Sequence, residues 1–247
     1  DVNLEQVELK PSTEPMLHEG LHTEEDFQRI RDKKAAGEEP WVSAYQLLVE
    51  SQFSQKTADT YPTEWIKRGI SGDENYMNAA RGATIVYQQA LRWKIEQDDE
   101  YAAKAVENLN KWVQTCVGVT GNTNLSLAAG LYGYEFAIAG ELLRDYGGWD
   151  RADFAAFQNW LLKVFYPAND DFLKRHHDTN ALHYWANWCL CNIAAKMAIG
   201  IVTDRRDIYN EGIAHLQTGD TNGRLRRAIY HDYAPAVSYT HLTLPTT

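Results

Sequence analysis

The sequence is poor in cysteine, and the three cysteines it has do not form a disulfide framework. Cys116, Cys189 and Cys191 are odd in number, so they cannot all pair within one chain. Cys189 and Cys191 stand two residues apart in a helical pattern, which points their side chains in different directions. We therefore predict that all three are small, buried apolar residues.

Long apolar runs and an excess of basic residues are also missing. No apolar run approaches the ~20 residues of a membrane-spanning helix, so no membrane association is expected. The formal net charge is −10, whereas nucleic-acid binding requires a basic face, so no nucleic-acid partner is expected. An anionic substrate stays possible, because the run Arg175, His176 and His177 is locally basic.

The sequence signatures of common cofactor and metal sites are absent. There is no phosphate-binding loop, no dinucleotide fingerprint and no nucleophile elbow. The cysteines and histidines lack zinc spacing, and His176 and His177 have no partner histidine one helical turn away. We expect neither a metal nor a cofactor. Amides and hydroxyls among aromatic residues, without a phosphate site, favour a sugar ligand.

A nearly continuous helical pattern is what the sequence does have. The 247 residues are 44% hydrophobic, enough to bury a substantial core. Thr23 is the predicted N-cap of a first helix, a second helix follows Pro40, and residues 54–75 form a predicted loop. No stretch alternates as a strand does, so the fold class is all-α. Further helices are predicted at about 76–97, 100–116, 125–146, 151–165, 181–201 and 204–217.

A weak internal repeat indicates how the helices are arranged. Three segments begin with an aspartate N-cap at Asp99, Asp150 and Asp204, and each continues into an apolar stripe. The starts lie about fifty residues apart, which fits a pair of long helices per repeat and is too long for tetratricopeptide repeats. Stacked helical hairpins of this kind form either a solenoid or a closed α/α toroid.

The stretch "HYWANWCLCN" (183–192) is the first candidate site. On a helix, His183 and Asn187 would be four residues apart and share one face, which Asn180 would extend. Tyr184 and Trp188 would form a neighbouring stripe that packs on the next helix. The alternative is an ordinary helix core that contains a few hydrogen-bonded polar groups.

A second candidate stretch is "GNTNLSLAAGLYGYEF" (121–136). Asn122 and Asn124 precede a predicted helix, where they either cap the helix or contact a ligand. Tyr132 and Tyr134 lie on different faces of that helix, so one of them is expected to face a cleft. The small residues between them equally suit a tightly packed inner helix.

Five stretches of the chain together resemble a known family. They are "LHTEEDFQRIRDKKAAGEEPW", "LRWKI…YAAKAVENLNKW", "AAGLYGYEFAIAGELLRDYGGW", "FQNWLLKVFYP" and "YWANWCLCNIAAKMAIGIVTDRRDIYNEGI". In this order, from about residue 16 to residue 233, they are similar to the alginate lyase family. The closest branch is polysaccharide lyase family 38, which acts on alginate or glucuronan.

The resemblance implies an (α/α) toroid built from helical hairpins, with a deep cleft, here incomplete. It also implies a secreted or periplasmic monomer that cuts an anionic polysaccharide, a 1,4-linked polyuronate, by β-elimination. Asn187 would neutralise the substrate carboxylate, His183 would be a donor or base, and Trp185 and Tyr132 would stack on sugar rings. The other expected substrate-binding residues are Asn124, His176, His177, Asn180, Tyr184, Trp188 and His231.

The chain departs from the family pattern at two places. Related lyases carry "NNHSY" before the tryptophan, where this chain has "TNALHY". After residue 233 the family continues with Gln-x-x-Glu-x-x-Arg-Asp-Gln-x-His, whereas here "VSYTHLTLPTT" (237–247) resembles translated adapter sequence. We expect residues 1–236 to be a lyase domain truncated at its C-terminal side, 237–247 to be a non-native tail, and the usual base and acid to be missing.

Two other functions fit the same scaffold. A glycoside hydrolase needs two carboxyl groups facing each other across the cleft, and Glu135, Glu141 and Asp178 are available. A helical module that binds carbohydrate without cleaving it needs neither these acids nor a base. The sequence does not distinguish mannuronate, guluronate and glucuronate as substrates.

Overall fold

The structure, a computed structural model, describes Met16, His18 and residues 20–229. The predicted tail at 237–247 and His231 lie outside the described residues. The helices are α1 (Glu24–Ala35), α2 (Trp41–Glu50), α3 (Tyr76–Glu96), α4 (Asp99–Thr115), α5 (Leu125–Leu143), α6 (Arg151–Val164), α7 (Tyr166–Arg175), α8 (Ala186–Val202), α9 (Arg206–Thr218) and α10 (Leu225–Ala228). The described residues also contain two short 3-10 helices, Gln52–Ser54 and His176–Asp178, and two short strands, β1 (Trp65–Arg68) and β2 (Gly118–Gly121). The all-α fold class is confirmed, and α7 is a helix that the sequence pattern did not predict.

The helix starts follow local capping chemistry, with two corrections to the predicted repeat. Thr23 caps α1 as predicted, because its hydroxyl accepts a hydrogen bond from the Asp26 backbone N–H at 3.1 Å. Asp150 caps α6 in the same way, accepting from Ala152 N at 2.7 Å. The cap of α4 is Asp98, one residue before the predicted one. Asp204 caps nothing, since it lies in the left-handed region with φ 58° and α9 begins two residues later.

The two strands were not predicted, and they form a parallel pair. Trp65 lies opposite Gly118 and Arg68 opposite Gly121, so the predicted loop at 54–75 is tied to the segment before α5. Gly121 has a φ of 146°, and a Cβ at this position would collide with the Arg68 carbonyl oxygen. Strands of four residues are too short to show an alternating pattern in sequence.

The long helices α3, α5 and α8 lie side by side, with α5 in the middle. Gly130, near the start of α5, contacts Cys191, near the start of α8. Toward the other end, Glu141 and Ile201 line one cavity, while Lys94 of α3 also shares a cavity with Glu141. The three helices therefore run parallel, and their N-terminal ends lie at the same end of the structure.

The remaining long helices form a second layer. Helix α4 packs on α3 and α9 packs on α8, while α6 and α7 lie between them and contact α5. The core between the layers is aromatic, with Phe136 in contact with Trp112, Trp160 and Phe165. Stacked hairpins of this kind fit both a solenoid and an α/α toroid, and closure into a ring stays a prediction. Within the described residues, none of the helices is both long and apolar enough to cross a membrane.

A buried pair of amides fixes the loop after α2. The Asn108 side chain accepts a hydrogen bond from Thr60 N at 3.1 Å and donates to Ala58 O at 2.9 Å. Gln89 donates to Gln55 O at 2.9 Å and to Ala58 O at 3.1 Å. Both amide side chains are fully buried, so these loop carbonyls have their partners inside the protein rather than in water.

We predict that Asn108→Ala destabilises the protein, because it removes the partner of the Thr60 N–H and of the Gln89 side-chain oxygen, which accepts from Asn108 at 3.1 Å. The expected loss is about 2–6 kcal/mol of unfolding free energy, combining about 1–3 kcal/mol for each of the two unpaired buried groups. Urea unfolding measures it. The control is Gln114→Ala on the exposed face of the same helix, and an equal loss there would contradict the role of Asn108.

Candidate functional site

The N-terminal ends of α3, α5 and α8 bring the candidate residues together. These helices begin at Tyr76, Leu125 and Ala186, at the same end of the structure. The unpaired backbone N–H groups of a helix N-terminus carry a partial positive charge. Three such ends side by side favour an anionic ligand over a cationic one.

The helical stripe predicted for His183 and Asn187 is wrong, because α8 begins only at Ala186. The Asn180 side-chain oxygen accepts a hydrogen bond from Leu182 N at 3.0 Å. This bond stabilises a local turn, which competes with helix formation. Asn222, forty residues on, donates to the Leu182 and Tyr184 carbonyls at 3.0 and 2.8 Å. Residues 181–185 therefore form an irregular segment that leads into α8.

His183 and Asn187 nonetheless stay close to the helix end. His183 is exposed, and its ring lies edge-on against Tyr184 with centroids 4.9 Å apart. Asn187 is half-buried, and its Oδ1 is a buried atom without a hydrogen-bond partner among the described residues. Because buried polar groups are nearly always paired, this amide is a candidate for ligand binding.

A left-handed turn joins the two candidate stretches. His176, His177 and Asp178 have φ values of 47°, 52° and 60°, a conformation that costs about 1–3 kcal/mol per non-glycine residue. The turn brings His177 Nε2 to 2.9 Å from the Ser126 hydroxyl at the start of α5. Strain of this kind is typical of functional sites, where surrounding contacts hold it in place.

The expected basic cluster at 175–177 does not supply positive charge. Arg175 is paired with Asp171 at 2.6 Å and with Asp178 at 3.0 Å. His176 is buried, and this burial lowers the pKa of its imidazole and so favours the neutral form. The Arg175 charge is therefore already paired with two carboxylates and is not available to a ligand.

The sequence interpretation missed Arg68, the last residue of β1. Its guanidinium lies 4.6 Å from the centroid of the Tyr76 ring, and its Nη1 is buried without a hydrogen-bond partner in the described part of the chain. Burial raises the pKa of Tyr132 and of Cys191 to about 12 each, and the positive charge of Arg68 opposes both shifts. The guanidinium is therefore within electrostatic range of both α5 and α8.

No sequence signal marked Arg68, since it lies in a segment without periodicity. Arg68 is half-buried, and a buried guanidinium nitrogen without an acceptor among the described residues is unfavourable. An anionic ligand would remove that penalty. Arg68 and Asn187 thus provide a cation and an amide, both incompletely paired, at one end of the structure.

Several expected sugar-binding residues are buried, so their proposed roles require correction. Tyr132 is 5% exposed, and a stacking platform needs an exposed ring face. Tyr184 and Trp188 are buried against Phe172, with their own ring centroids 4.8 Å apart. Trp185 is 49% exposed and can present its ring to a sugar. Asn124 is half-buried and donates to the Asn122 side chain at 2.8 Å, while Asn180 is exposed.

The acids considered for a hydrolase do not converge. Asp178 is adjacent to His177, which contacts Ser126 at the start of α5. Glu135 and Glu141 lie roughly 14 and 22 Å from Ser126 along the axis of α5, because a helix rises about 1.5 Å per residue. Paired carboxyl groups of glycoside hydrolases lie about 5–10 Å apart across a cleft. The two glutamates share one helix and cannot face each other.

The described residues contain no group of three or more histidine, cysteine or acidic side chains placed to hold a metal ion. All three cysteines are free; Cys116 and Cys189 are buried, and Cys191 is half-buried. The groups at this end include amides, imidazoles, phenols, a guanidinium and the carboxylates of Glu74 and Asp178.

Close packing of α5 on α8 leads to the first prediction for the site. A Cβ on Gly130 would lie 2.5 Å from Cys191 Sγ and 3.0 Å from the Cys191 carbonyl carbon. We expect Gly130→Val to force the helices apart and lower the unfolding free energy by about 1–3 kcal/mol, as overpacking does. Gly147→Val is the control in urea unfolding, because a Cβ on Gly147 meets nothing within 4 Å. Equal effects of the two substitutions would contradict the close-packing argument.

Glu135 gives the second prediction. Burial raises the pKa of its carboxyl from 4.5 to about 7, and Tyr87, Tyr132 and Tyr134 surround it. Between those pKa values the folded chain binds more protons than the unfolded chain, so stability falls as the pH rises through this window. Glu135→Gln should therefore reduce the loss of melting temperature between about pH 5 and about pH 8.

The control for Glu135 is Glu25→Gln, at an exposed position of α1. It should leave the pH dependence of melting unchanged. A Glu135→Gln protein that loses stability with pH as steeply as the unmodified protein would refute the role assigned to this carboxyl.

Comparison with known proteins identifies the family. A model described as Alginate lyase matches residues 30–228, more than half of the chain. The match includes β1, α5 and α8, which together hold Arg68, Ser126 and Asn187. A comparison with curated proteins gave no match. The chain belongs to the alginate lyase family of polysaccharide lyases.

Proposed function

We propose that this protein cleaves a 1,4-linked polyuronate, alginate or glucuronan, by β-elimination at the N-terminal ends of α3, α5 and α8. Membership of the alginate lyase family implies an anionic polysaccharide substrate. The observation that carries the location is the pair of incompletely bonded groups there, Arg68 and Asn187. A uronate carboxylate offers the acceptor that Arg68 Nη1 lacks, and a hydroxyl of the same sugar offers a donor to Asn187 Oδ1.

β-Elimination on a uronide has defined requirements. A base removes the proton from C5, the electron pair forms the C4–C5 double bond, and the C4–O bond to the leaving sugar breaks. The leaving oxygen then takes a proton. Because the carboxylate on C5 must accept negative charge in the transition state, groups that stabilise that charge accelerate the step.

Asn187 and Arg68 suit this stabilising role for different reasons. The Asn187 amide can donate to a carboxylate oxygen without competing for the proton that the base removes. Arg68 can donate two parallel hydrogen bonds to one carboxylate, the strongest geometry for such a pair. Asn187 lies one helical turn before Cys191, which is within the electrostatic range of Arg68. One uronate near the helix ends would thus be in range of both groups.

His183 and Trp185 complete the proposed site. His183 is exposed on the irregular segment before α8, so a bound chain can reach its imidazole, which would serve as donor or base. His177 is less suited to that role, because its Nε2 is engaged by the Ser126 hydroxyl. Trp185, with about half of its surface exposed, would stack on a pyranose ring.

The test is incubation of the protein with alginate and with glucuronan, followed by the ultraviolet absorbance of the unsaturated uronide. We predict that Asn187→Ala lowers kcat about 10²- to 10³-fold, as loss of one charge-stabilising donor does. We expect Arg68→Met to lower kcat/KM more than Arg68→Lys, which keeps the charge but loses the paired donors. Asn159→Ala, at an exposed position of α6, is the control.

The outcomes separate the competing functions. Release of saturated reducing ends without ultraviolet absorbance would indicate a hydrolase. Binding of either polymer without any cleavage would indicate a carbohydrate-binding module. Turnover that is unaffected by Asn187→Ala and Arg68→Met would place the chemistry elsewhere in the chain.

A further inference from the structure

A separate cavity lies between α3 and the loop that follows α2. Its volume is about 300 Å³. Polar side chains and two aromatic rings line much of it. The lining residues are Gln52, Phe53, Thr57, Ala58, Asp59, Thr60, Tyr61, Asn78, Arg81, Gly82 and Ile85. Concave sites with a few convergent polar groups among aromatic side chains are the usual form of a ligand pocket.

The net charge of this cavity comes from Arg81. The only charged residues in its lining are Arg81 and Asp59. Asp59 is held by Lys104 at 2.7 Å and by Lys111 at 2.9 Å, and both lysines also pair with Glu107. These four charges cancel. Arg81 is exposed and makes no ion pair within the described part of the chain, so the cavity presents one available positive charge.

The walls of the cavity are fixed before any ligand arrives. Thr60 and Ala58 are bonded to the buried Asn108 side chain, and Gln89 holds Ala58 as well. On the opposite wall, Gly82 lies directly against the Trp112 indole. A preformed cavity binds without the entropic cost of ordering a loop.

Exposed aromatic rings mark a route from this cavity to the proposed site. Tyr61 is 76% exposed at the cavity and Trp65 is 42% exposed at the start of β1. Arg68 ends the same strand. Tyr61 and Arg68 are seven residues apart, so at most about 24 Å of chain separates them. An oligosaccharide can span that distance.

We infer that this cavity is a second subsite, in which Arg81 binds the carboxylate of a uronate residue and Tyr61 contacts the sugar ring. This inference rests on the proposed function, since it assigns the cavity to another part of the same polyuronate chain. Gln52, Thr57 and Asn78 provide hydrogen-bonding groups for the sugar hydroxyls. The ligand class is a singly charged pyranose, not a neutral sugar.

The experiment measures binding of alginate oligosaccharides by titration calorimetry, with a short oligomer and one three times as long. Arg81→Gln should weaken binding of the long oligomer roughly tenfold, the worth of one hydrogen bond to a charged group. It should leave the short oligomer unaffected, because that fills only the site near Arg68. Tyr61→Ala should act in the same direction, and Arg81→Lys should restore part of the loss. Arg151→Gln, at an exposed position of α6, is the control.

The results distinguish this subsite from the proposed function. Length-dependent loss of binding in Arg81→Gln supports the subsite even if the protein cleaves neither alginate nor glucuronan. If the protein does cleave them, Arg81→Gln should raise KM for polymer while kcat stays constant. Equal weakening of short and long oligomers, or no weakening of either, overturns the inference. Equal weakening of a neutral gluco-oligosaccharide overturns the assignment to an acidic sugar.

Discussion

The contact between α5 and α8 at Gly130 is the constraint on which the site depends. The absence of a side chain there lets the two backbones approach until Cys191 lies against the glycine. Ser126 precedes Gly130 by about one helical turn, and Asn187 precedes Cys191 by the same distance, so the two residues lie at the same height along the paired helices. His177 then reaches Ser126 from the turn that precedes α8. A wider separation would take these groups apart even though each helix stayed intact.

The electrostatics of the molecule show how an acidic protein can bind an acidic polymer. The net charge of −10 is spread over a surface on which many cations are already paired with carboxylates. Attraction therefore depends on a few groups whose charge or donors are not already used. Within the described residues Arg68 and Arg81 are such groups, and parallel helix N-termini add to them. Repulsion by the remaining surface would disfavour binding elsewhere on the protein.

Much of the fold follows from local sequence, because helix boundaries depend on nearby residues. Thr23 and Asp150 mark helix starts through bonds to residues two or three positions away. The incorrect predictions of secondary structure lie where contacts with distant residues determine the local conformation. β1 exists only because Gly118–Gly121 lies beside it, and the late start of α8 depends partly on Asn222.

The site was predictable only in part for the same reason. Residue types alone marked Asn187, His183 and Trp185, which lie at or before the start of α8. Burial argues against Tyr132 as a stacking platform and against Tyr184 and Trp188 as substrate contacts, and burial depends on tertiary packing. Arg68 has no distinguishing neighbours in sequence. Arg68 is a candidate because its Nη1 is buried and has no hydrogen-bond partner among the described residues, a property that appears only in the folded chain.

The parallel pairing of β1 with β2 has a consequence for how the site could change during evolution. Four backbone positions join the segment that holds Arg68 to the start of α5, and backbone pairing is largely indifferent to side-chain identity. Half-buried residues of β1 such as Arg68, unlike the core residue Ile66, can therefore be exchanged while the helices, and the amide on α8, keep their positions. Recognition of a particular uronate and the framework that supports it would be inherited as separable parts of one domain.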